Sequence, residues 1–187
     1  MSLMERFFLD RDKAQLVVVD VQEKLCRAMD TEVLEQLTGN ISILLDAAAE
    51  LGLPALATEQ YVKGLGATLP VLKEKLTTAS LEKMTFSCCG GEGFLEALAK
   101  SGRRQVILTG METHVCVLQT ALELLSEGYM VHLVCDAVMS RKKANWKTAL
   151  KTLSAAGVVL TTTEAVLFQL LRVAGTEEFK KLSKLVR

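Results

Sequence analysis

The sequence predicts one doubly wound α/β domain, in which helices cover both faces of a mainly parallel sheet. Three observations support this fold class. Short runs rich in valine, isoleucine and leucine alternate with longer segments whose apolar residues follow helical spacing. The chain has 187 residues, 50% of them hydrophobic, which suits a single core of this size. No internal repeat or interdomain linker interrupts the alternation, so right-handed strand–helix–strand crossovers would place the strands in parallel.

The first half of the chain begins with a predicted strand over residues 14–22, AQLVVVDVQ, a continuous apolar run rich in valine. Such runs are typical of strands that are buried on both faces. Residues 30–52 predict a helix, which Asp30 or Thr31 could cap at its start and Gly52 could end. The next segments are predicted as a strand over 53–60, a loop over 61–70, a short helical turn over 70–76, and an ambiguous stretch over 80–87 that a short strand would fit.

The second half of the chain continues the alternation more regularly. Its most clearly amphipathic segment covers residues 113–128, where Val115, Leu118, Leu122 and Leu125 follow helical spacing. The predicted elements of this half are a helix over 91–102, a strand over 104–110, the helix over 113–128, a strand over 129–137, a helix over 141–156, a strand over 157–162, a helix from about 163, and a charged helix over roughly 176–186.

The composition excludes several classes of partner. Basic and acidic residues number 22 each and are interspersed, so we predict no nucleic-acid and no membrane partner. Every strongly apolar run ends well short of the ~18 residues that a membrane helix needs. Five cysteines are sparse for a chain of this length, and an odd number cannot all pair in disulfides. No signal-peptide pattern is present. We therefore predict reduced thiols and a cytoplasmic location.

Residues 1–187 are interpreted as a single domain, with a C-terminal helix over 176–187. The first three residues, MSL, resemble a remnant of an expression vector and are left out of the fold prediction.

Candidate functional residues follow from the predicted topology. Ligands bind to doubly wound sheets outside the carboxyl ends of the strands, where the strand order reverses. Asp20 ends the first predicted strand, Lys83 lies in the ambiguous segment, and Cys116 lies in the first turn of the helix after the strand over 104–110. Further polar residues at predicted strand ends are Glu59, Gln60 and Asp136. The fold therefore predicts one rim that carries an acid, a base and a thiol.

These side chains could act together in nucleophilic catalysis. A thiolate is the nucleophilic form of cysteine, and a helix N-terminus lowers the pKa of a cysteine placed there. Asp20 could take the thiol proton and later protonate a leaving amine, while Lys83 would stabilise both anions. Backbone N–H groups at the start of the helix could form an oxyanion hole. Plainer alternatives remain open: a packed core thiol at Cys116, a turn cap at Asp20 and a solvated surface charge at Lys83.

Other chemistries have weaker support in the sequence. Histidine and cysteine form two loose pairs, His114 with Cys116 and His132 with Cys135. There is no C-x-x-C or H-E-x-x-H motif, so we predict no metal site. Cys88 and Cys89 are adjacent, which favours two free thiols over a disulfide. No glycine-rich phosphate-binding motif is present, and we predict no cofactor.

Three stretches of the sequence resemble the isochorismatase-like cysteine hydrolases. They are VVVDVQEKL with Asp20, EKMTFS with Lys83, and ILTGMETHVCVLQTALELLSEGYMVHLVCDAVMSR with Cys116. The stretches occur in the order of the family, and the resemblance covers roughly residues 14–172. Within the family, TEQYVKGLG after the second strand resembles the isochorismatase domain-containing proteins rather than the nicotinamidases.

The resemblance implies a three-layer α/β/α, Rossmann-like fold with a six-stranded parallel sheet. It implies that an Asp20–Lys83–Cys116 triad hydrolyses an amide or related C–N bond of a small-molecule substrate through a thioester. It also implies a cis peptide between Met111 and Glu112, which would turn the backbone amides of Glu112 and Cys116 toward the oxyanion. Because members of the family associate through helical surfaces, we expect a homo-oligomer.

The region after the second strand departs from the nicotinamidase pattern. Nicotinamidases carry an Asp-x-His…His metal site there, whereas ATEQYVKGLG contains no histidine. This argues against metal-assisted binding of nicotinamide. The enzyme that cleaves isochorismate itself lacks the cysteine and acts on a vinyl ether, so that reaction is not predicted either. The positions predicted to contact the substrate are Gln22, Glu59, Gln60, Tyr61 and Thr113.

Two other functions remain open at this point. An activated Cys116 could serve a thiol redox or oxidant-sensing protein, since four further cysteines are available. The chain could also be a catalytically silent binding or scaffold protein, because function depends on sites rather than on folds. The leading prediction is a cysteine hydrolase of a small amide.

Overall fold

A computed structural model describes residues 2–186 of the chain and shows a sheet of six parallel strands. The strands are β1 (Ala14–Val19), β2 (Ala55–Gln60), β3 (Leu81–Lys83), β4 (Gln105–Met111), β5 (Met130–Met139) and β6 (Val159–Thr161). Their order across the sheet is β3-β2-β1-β4-β5-β6, so the order reverses between β1 and β4. The predicted doubly wound α/β/α fold is confirmed.

Helices cover both faces of this sheet. They are α1 (Leu3–Phe7), α2 (Glu23–Cys26), α3 (Thr31–Leu51), α4 (Val62–Leu65), α5 (Pro70–Lys73), α6 (Phe94–Lys100), α7 (Leu118–Ser126), α8 (Lys143–Ala156), α9 (Thr163–Leu171) and α10 (Glu177–Leu182). Leu16 and Val18 of β1 belong to a core formed with α3 and α9, whereas Val17 and Val19 belong to a second core formed with α6, α7 and α8. Burial on both faces explains the continuously apolar sequence of this strand.

The 21-residue helix α3 begins and ends where the sequence predicts. The carboxylate of Asp30 accepts a hydrogen bond from the backbone N–H of Val33 at 3.1 Å. Gly52 follows the last helical residue with a φ of 69°. Glycine adopts this left-handed conformation without the steric cost that a Cβ atom would add.

Two strand ends differ from the prediction. β1 ends at Val19 because Asp20 has a φ of 50°, outside the extended region. β5 extends to Met139, so the prediction that Asp136 ends this strand is wrong. The Asp136 carboxylate accepts hydrogen bonds from the backbone N–H and Oγ1 of Thr163 at 2.9 and 3.0 Å. Asp136 therefore holds the start of α9.

Three helical segments also differ from the prediction. The segment over 113–128 begins as a π-helical turn, Thr113–Val117, before α7. The predicted loop over 61–70 contains α4. Of the three excluded N-terminal residues, Leu3 begins α1 and Ser2 caps it. Ser2 and Glu5 each accept a hydrogen bond from the other's backbone N–H, at 3.2 and 2.7 Å. Residues 1 and 187, within the predicted vector remnant and C-terminal helix, lie outside the described residues.

Among the helices of residues 2–186, none combines the length and the apolar character that a membrane span requires.

Candidate active site

A buried ion pair between Asp20 and Lys83 lies at the carboxyl edge of the sheet. Asp20 follows β1, Lys83 ends β3, and their side chains are 0% and 1% exposed. Lys83 Nζ donates to Asp20 Oδ2 at 2.6 Å, and Thr58 Oγ1 donates to Asp20 Oδ1 at 2.7 Å. Buried charges require such partners, and here these partners fix the orientation of both side chains.

Three further oxygen atoms surround the ammonium group of Lys83. They are Gln60 Oε1 at 2.8 Å, the Phe86 carbonyl at 3.0 Å and the Thr85 carbonyl at 3.3 Å. The segment that follows β3 therefore wraps around the lysine. The alternative of a solvated surface charge at Lys83 is wrong, since this residue is only 3% exposed.

Cys116 lies in the π-helical turn after β4 and is 6% exposed. β4 pairs with β1, with Gly110 opposite Val19, which brings this turn beside Asp20. Burial raises the pKa of the Cys116 thiol to about 12; the negative charge of Asp20 adds to the rise, and Lys83 opposes it. The prediction of a lowered pKa is wrong, because the loss of hydration and the charge of Asp20 outweigh the opposing charge of Lys83. The thiol is therefore protonated at neutral pH.

Met111 and Glu112 connect β4 to the turn that carries Cys116. The peptide bond between them is cis, and the Met111 side chain is fully buried. The Glu112 carboxylate is 7% exposed and accepts hydrogen bonds from the Nε of Arg141 at 3.1 Å and from its backbone N–H at 3.0 Å. This segment is thus tied to the loop that follows β5.

Three of the predicted substrate contacts have polar groups that are engaged within the protein. Gln22 donates to the carbonyls of Gln60 and Gly66 at 3.0 and 2.6 Å and accepts from the Gln60 backbone N–H at 2.7 Å. Gln60 Nε2 also donates to a backbone carbonyl at 2.9 Å. Glu59 accepts from the backbone N–H and Oγ1 of Thr68, both at 2.7 Å. These residues stabilise the loops around the site.

The other two predicted contacts, Tyr61 and Thr113, are placed differently. Tyr61 follows β2 and is 44% exposed. Thr113 is fully buried, and its Oγ1 has no hydrogen-bond partner among the described residues. A buried hydroxyl without a partner costs free energy.

Thr58 and Cys88 belong to the site, although the sequence motifs do not identify them. Thr58 Oγ1 lies 3.5 Å from Cys88 Sγ, in addition to its hydrogen bond with Asp20. Burial raises the pKa of Cys88 to about 11, and the charge of Asp20 adds to this rise. The position of Thr58 near the end of β2 is a signal that could have identified it. Cys88 offers no such signal, because its place depends on how the chain folds after β3.

Within residues 2–186, no group of three or more histidine, cysteine, aspartate or glutamate side chains is placed to hold a metal ion.

Comparison with known proteins establishes the family. The isochorismatase domain model matches residues 14–165. The chain belongs to the isochorismatase family. It is 38% identical over 177 residues to the secreted isochorismatase effector Isc1 of Phytophthora sojae, covering 92% of this chain and 83% of that protein. It is 36% identical over 174 residues to isochorismatase domain-containing protein 2 of Xenopus laevis, covering 91% and 82%. The predicted family is confirmed.

Solved structures of similar proteins share the fold. A structure of MAR1 ribonuclease from Caenorhabditis elegans has a TM-score of 0.88 at 38% identity, covering 96% of this chain and 92% of that chain. YcaC from Pseudomonas aeruginosa, solved with hexane-2,5-diol and covalent acrylamide, has a TM-score of 0.88 at 27% identity, covering 95% and 91%. YcaC from Escherichia coli, described as an octameric hydrolase of unknown specificity, has a TM-score of 0.83 at 28% identity, covering 89% and 83%.

Proposed function

We propose that this protein is a cysteine hydrolase that cleaves a small amide or related C–N bond through a thioester on Cys116. The observation that carries the proposal is the buried Asp20–Lys83 pair beside Cys116 at the carboxyl edge of the sheet. Burying two charges costs free energy, so a pair of this kind next to a nucleophile is typical of a catalytic site. Membership of the family and the hydrolase described for Escherichia coli support the same class of activity.

In the first step, the thiol proton moves to Asp20 and the Sγ of Cys116 attacks the carbonyl carbon of the substrate. Because the pKa of the thiol is raised to about 12, the free enzyme holds Cys116 protonated. Proton transfer to Asp20 therefore accompanies the attack, as in general base catalysis. The backbone N–H groups of Glu112 and Cys116 donate to the oxyanion.

In the second step, the C–N bond breaks and Asp20 returns the proton to the leaving amine. Water then attacks the thioester and gives a proton to Asp20, the C–S bond breaks, and Asp20 passes this proton to the sulfur, which restores the thiol of Cys116. The products are a carboxylic acid and an amine, which account for all atoms of the amide and the water. Lys83 stays 2.6 Å from Asp20 and reduces the cost of negative charge in both steps.

We propose a small-molecule substrate rather than RNA, although the relative from Caenorhabditis elegans is described as a ribonuclease. Asp20, Lys83 and Cys116 are at most 6% exposed, which restricts access for a polymer backbone. The net charge of zero also gives no general attraction for phosphodiesters. A small amide needs less access than a polymer backbone and no general electrostatic attraction, so it meets both conditions.

The two alternative functions have less support. Oxidants attack thiolates, and burial raises the pKa of both Cys116 and Cys88, which disfavours a redox sensor. A catalytically silent scaffold would have no use for a buried Asp20–Lys83 pair, because apolar residues of similar volume would be as stable or more so.

We also propose that the protein is a homo-oligomer in the cytoplasm. The relative from Escherichia coli is octameric, and Phe168 and Val173 leave apolar surface 41% and 62% exposed. All five cysteines are unpaired, which fits a reducing compartment, whereas the Phytophthora relative is described as secreted. Sedimentation velocity and fluorescence microscopy of the tagged protein test the two statements; a monomer or a secreted protein would contradict them.

A substrate screen with matched variants tests the function. Small primary and secondary amides are incubated with the protein, amine release is measured, and RNA is included as a separate substrate. Cys116→Ala is expected to lower turnover by about 10³-fold or more while its circular dichroism stays unchanged. Cys26→Ala removes a buried thiol from the other core and is expected to keep the activity. Amide turnover that survives in Cys116→Ala would end the proposal.

A further inference from the structure

The carboxylate of Glu112 is held by Arg141 rather than left open to solvent. Arg141 donates from Nε to both carboxylate oxygens at 3.1 Å and from its backbone N–H to Oε2 at 3.0 Å. The side chain of Glu112 is 7% exposed, whereas that of Arg141 is 57% exposed. Hydrogen bonds between charged groups are strong and directional, and together the three restrict the rotation of Glu112.

A second contact joins the same two segments. His114 Nδ1 lies 3.0 Å from Ser140 Oγ, and Ser140 directly precedes Arg141 in the loop between β5 and α8. β4 and β5 are neighbours in the sheet, with Met111 opposite Met139. The two contacts therefore continue the pairing of these strands into the segment that carries the nucleophile.

We propose that Arg141 is a positioning residue, which holds the backbone N–H of Glu112 in the orientation that binds the oxyanion. The inference rests on the proposed function and assigns a role to a residue outside the triad. Arg141 acts through Glu112 and does not touch the reacting atoms. Oxyanion donors stabilise a transition state only when they are oriented in advance, so the restriction of Glu112 contributes directly to rate. A lysine keeps the backbone N–H contact but cannot reproduce the contacts from Nε, because the atom at that position in lysine is a methylene carbon, which has no N–H to donate.

Two thiol reagents with different mechanisms test this role without knowledge of the substrate. When Cys116 adds to acrylamide, the S–C bond forms at the terminal vinyl carbon, negative charge moves to the carbonyl oxygen, and the proton ends on the neighbouring carbon. Iodoacetamide instead loses iodide from its methylene carbon, and its carbonyl oxygen gains no charge. Only the first reaction benefits from an oxyanion hole. Acrylamide is a suitable probe because the Pseudomonas aeruginosa relative was solved with covalent acrylamide.

Labelling rates at each cysteine are measured by peptide mass spectrometry in the wild type, Arg141→Lys and Arg141→Ala. Both variants are expected to slow acrylamide labelling of Cys116 by about tenfold or more, with iodoacetamide labelling within about twofold of the wild type. Methylguanidinium added to Arg141→Ala is expected to restore part of the acrylamide rate. Lys143 is exposed and lines the same surface cavity as Arg141. Lys143→Ala is therefore the matched control and is expected to change neither rate.

Each contrary result has a distinct meaning. An unchanged acrylamide rate in both Arg141 variants would overturn the positioning role. Equal slowing with the two reagents would also overturn it, because a general change in access or packing would then be the cause. If acrylamide labels Cys116 of the wild type no faster than the other four cysteines, the proposed function itself fails and the inference fails with it.

Discussion

At the scale of single residues, the site depends on the ion pair between Asp20 and Lys83. Removal of one partner leaves the other charge buried without compensation, so Lys83→Met is expected to lower the free energy of unfolding by about 3–5 kcal/mol. The double variant Asp20→Asn, Lys83→Met is expected to recover most of this loss, because it removes both charges. Turnover of the amide is expected to be lost in both variants. Urea denaturation and activity assays measure the two effects.

The double variant is the control that separates stability from catalysis. A stable double variant that is inactive would show that the pair serves the reaction. A Lys83→Met variant within about 1 kcal/mol of the wild type would contradict the buried, charged state of the pair.

The positions of the site residues could be predicted from the sequence, whereas their pKa values and hydrogen-bond partners could not. Asp20 and Cys116 could be located because they follow apolar strands, where sheets of this class place their ligands. The raised pKa of Cys116 could not be predicted, because it results from burial by several elements that are distant in sequence. The engagement of Gln22 and Glu59 could not be predicted for a similar reason, since Gly66 and Thr68, which bond to them, lie in the irregular stretch between α4 and α5.

At the scale of elements, the close pairing of β1 with β4 brings Cys116 beside Asp20. Gly110 has a φ of 108°, and a Cβ atom there would lie 2.6 Å from the backbone N of Val19 and closer still to its carbonyl oxygen. Gly110→Ala is therefore expected to destabilise the protein by about 3 kcal/mol or more, and to lower activity as the strands separate. Thermal and urea denaturation measure the change.

Gly39 is the matched control for this substitution. It lies within α3, and a Cβ atom there meets nothing within 4 Å. Gly39→Ala is expected to stabilise the protein by about 0.5–1 kcal/mol through the better helix propensity of alanine. Equal effects of the two substitutions would contradict the close approach of the strands at Gly110.

Element types could be predicted from periodicity, whereas several element ends could not. Helix α3 could be predicted closely because Asp30 and Gly52 are specific capping signals. The end of β1 could not, because Asp20 adopts a positive φ that its residue type does not require. The π-helical turn at Cys116 could not be predicted either, because the apolar spacing of residues 113–128 suits an ordinary helix.

At the scale of the whole molecule, His132 couples stability to pH. It lies in β5, is fully buried, and neither ring nitrogen has a hydrogen-bond partner among the described residues. Burial lowers its pKa from 6.5 to about 4. The unfolded chain therefore binds a proton at a higher pH than the folded protein does. The stability due to the neutral imidazole is complete above pH 6.5 and decreases as the pH falls toward 4.

The expected contribution of His132 to this decrease is about 3 kcal/mol between the two pKa values. Urea denaturation at a series of pH values measures it, and His132→Leu is expected to reduce the slope in this range. His114→Gln, which changes the other histidine of the chain, is expected to keep the slope. An unchanged slope in His132→Leu would contradict a buried, neutral His132.

The fold class could be predicted at this scale because strands and helices alternate along the chain. Periodicity alone could not predict the strand order or the two separate cores, because both depend on contacts between distant segments. The resemblance to the family predicted six strands and the triad. The burial and neighbouring charges that determine the protonation state of Cys116 could be read only from the structure.

The most direct test of the thioester mechanism is the detection of an acyl group on Cys116 during turnover of an amide found in the screen. The reaction is quenched in acid, and the protein is analysed by intact-mass and peptide mass spectrometry. The mechanism predicts an adduct on Cys116 alone, with the mass of the acyl part of the substrate. Neutral hydroxylamine is expected to remove this adduct. Cys116→Ser is expected to form no thioester. Turnover with no adduct on Cys116, or with an adduct on another residue, would contradict it.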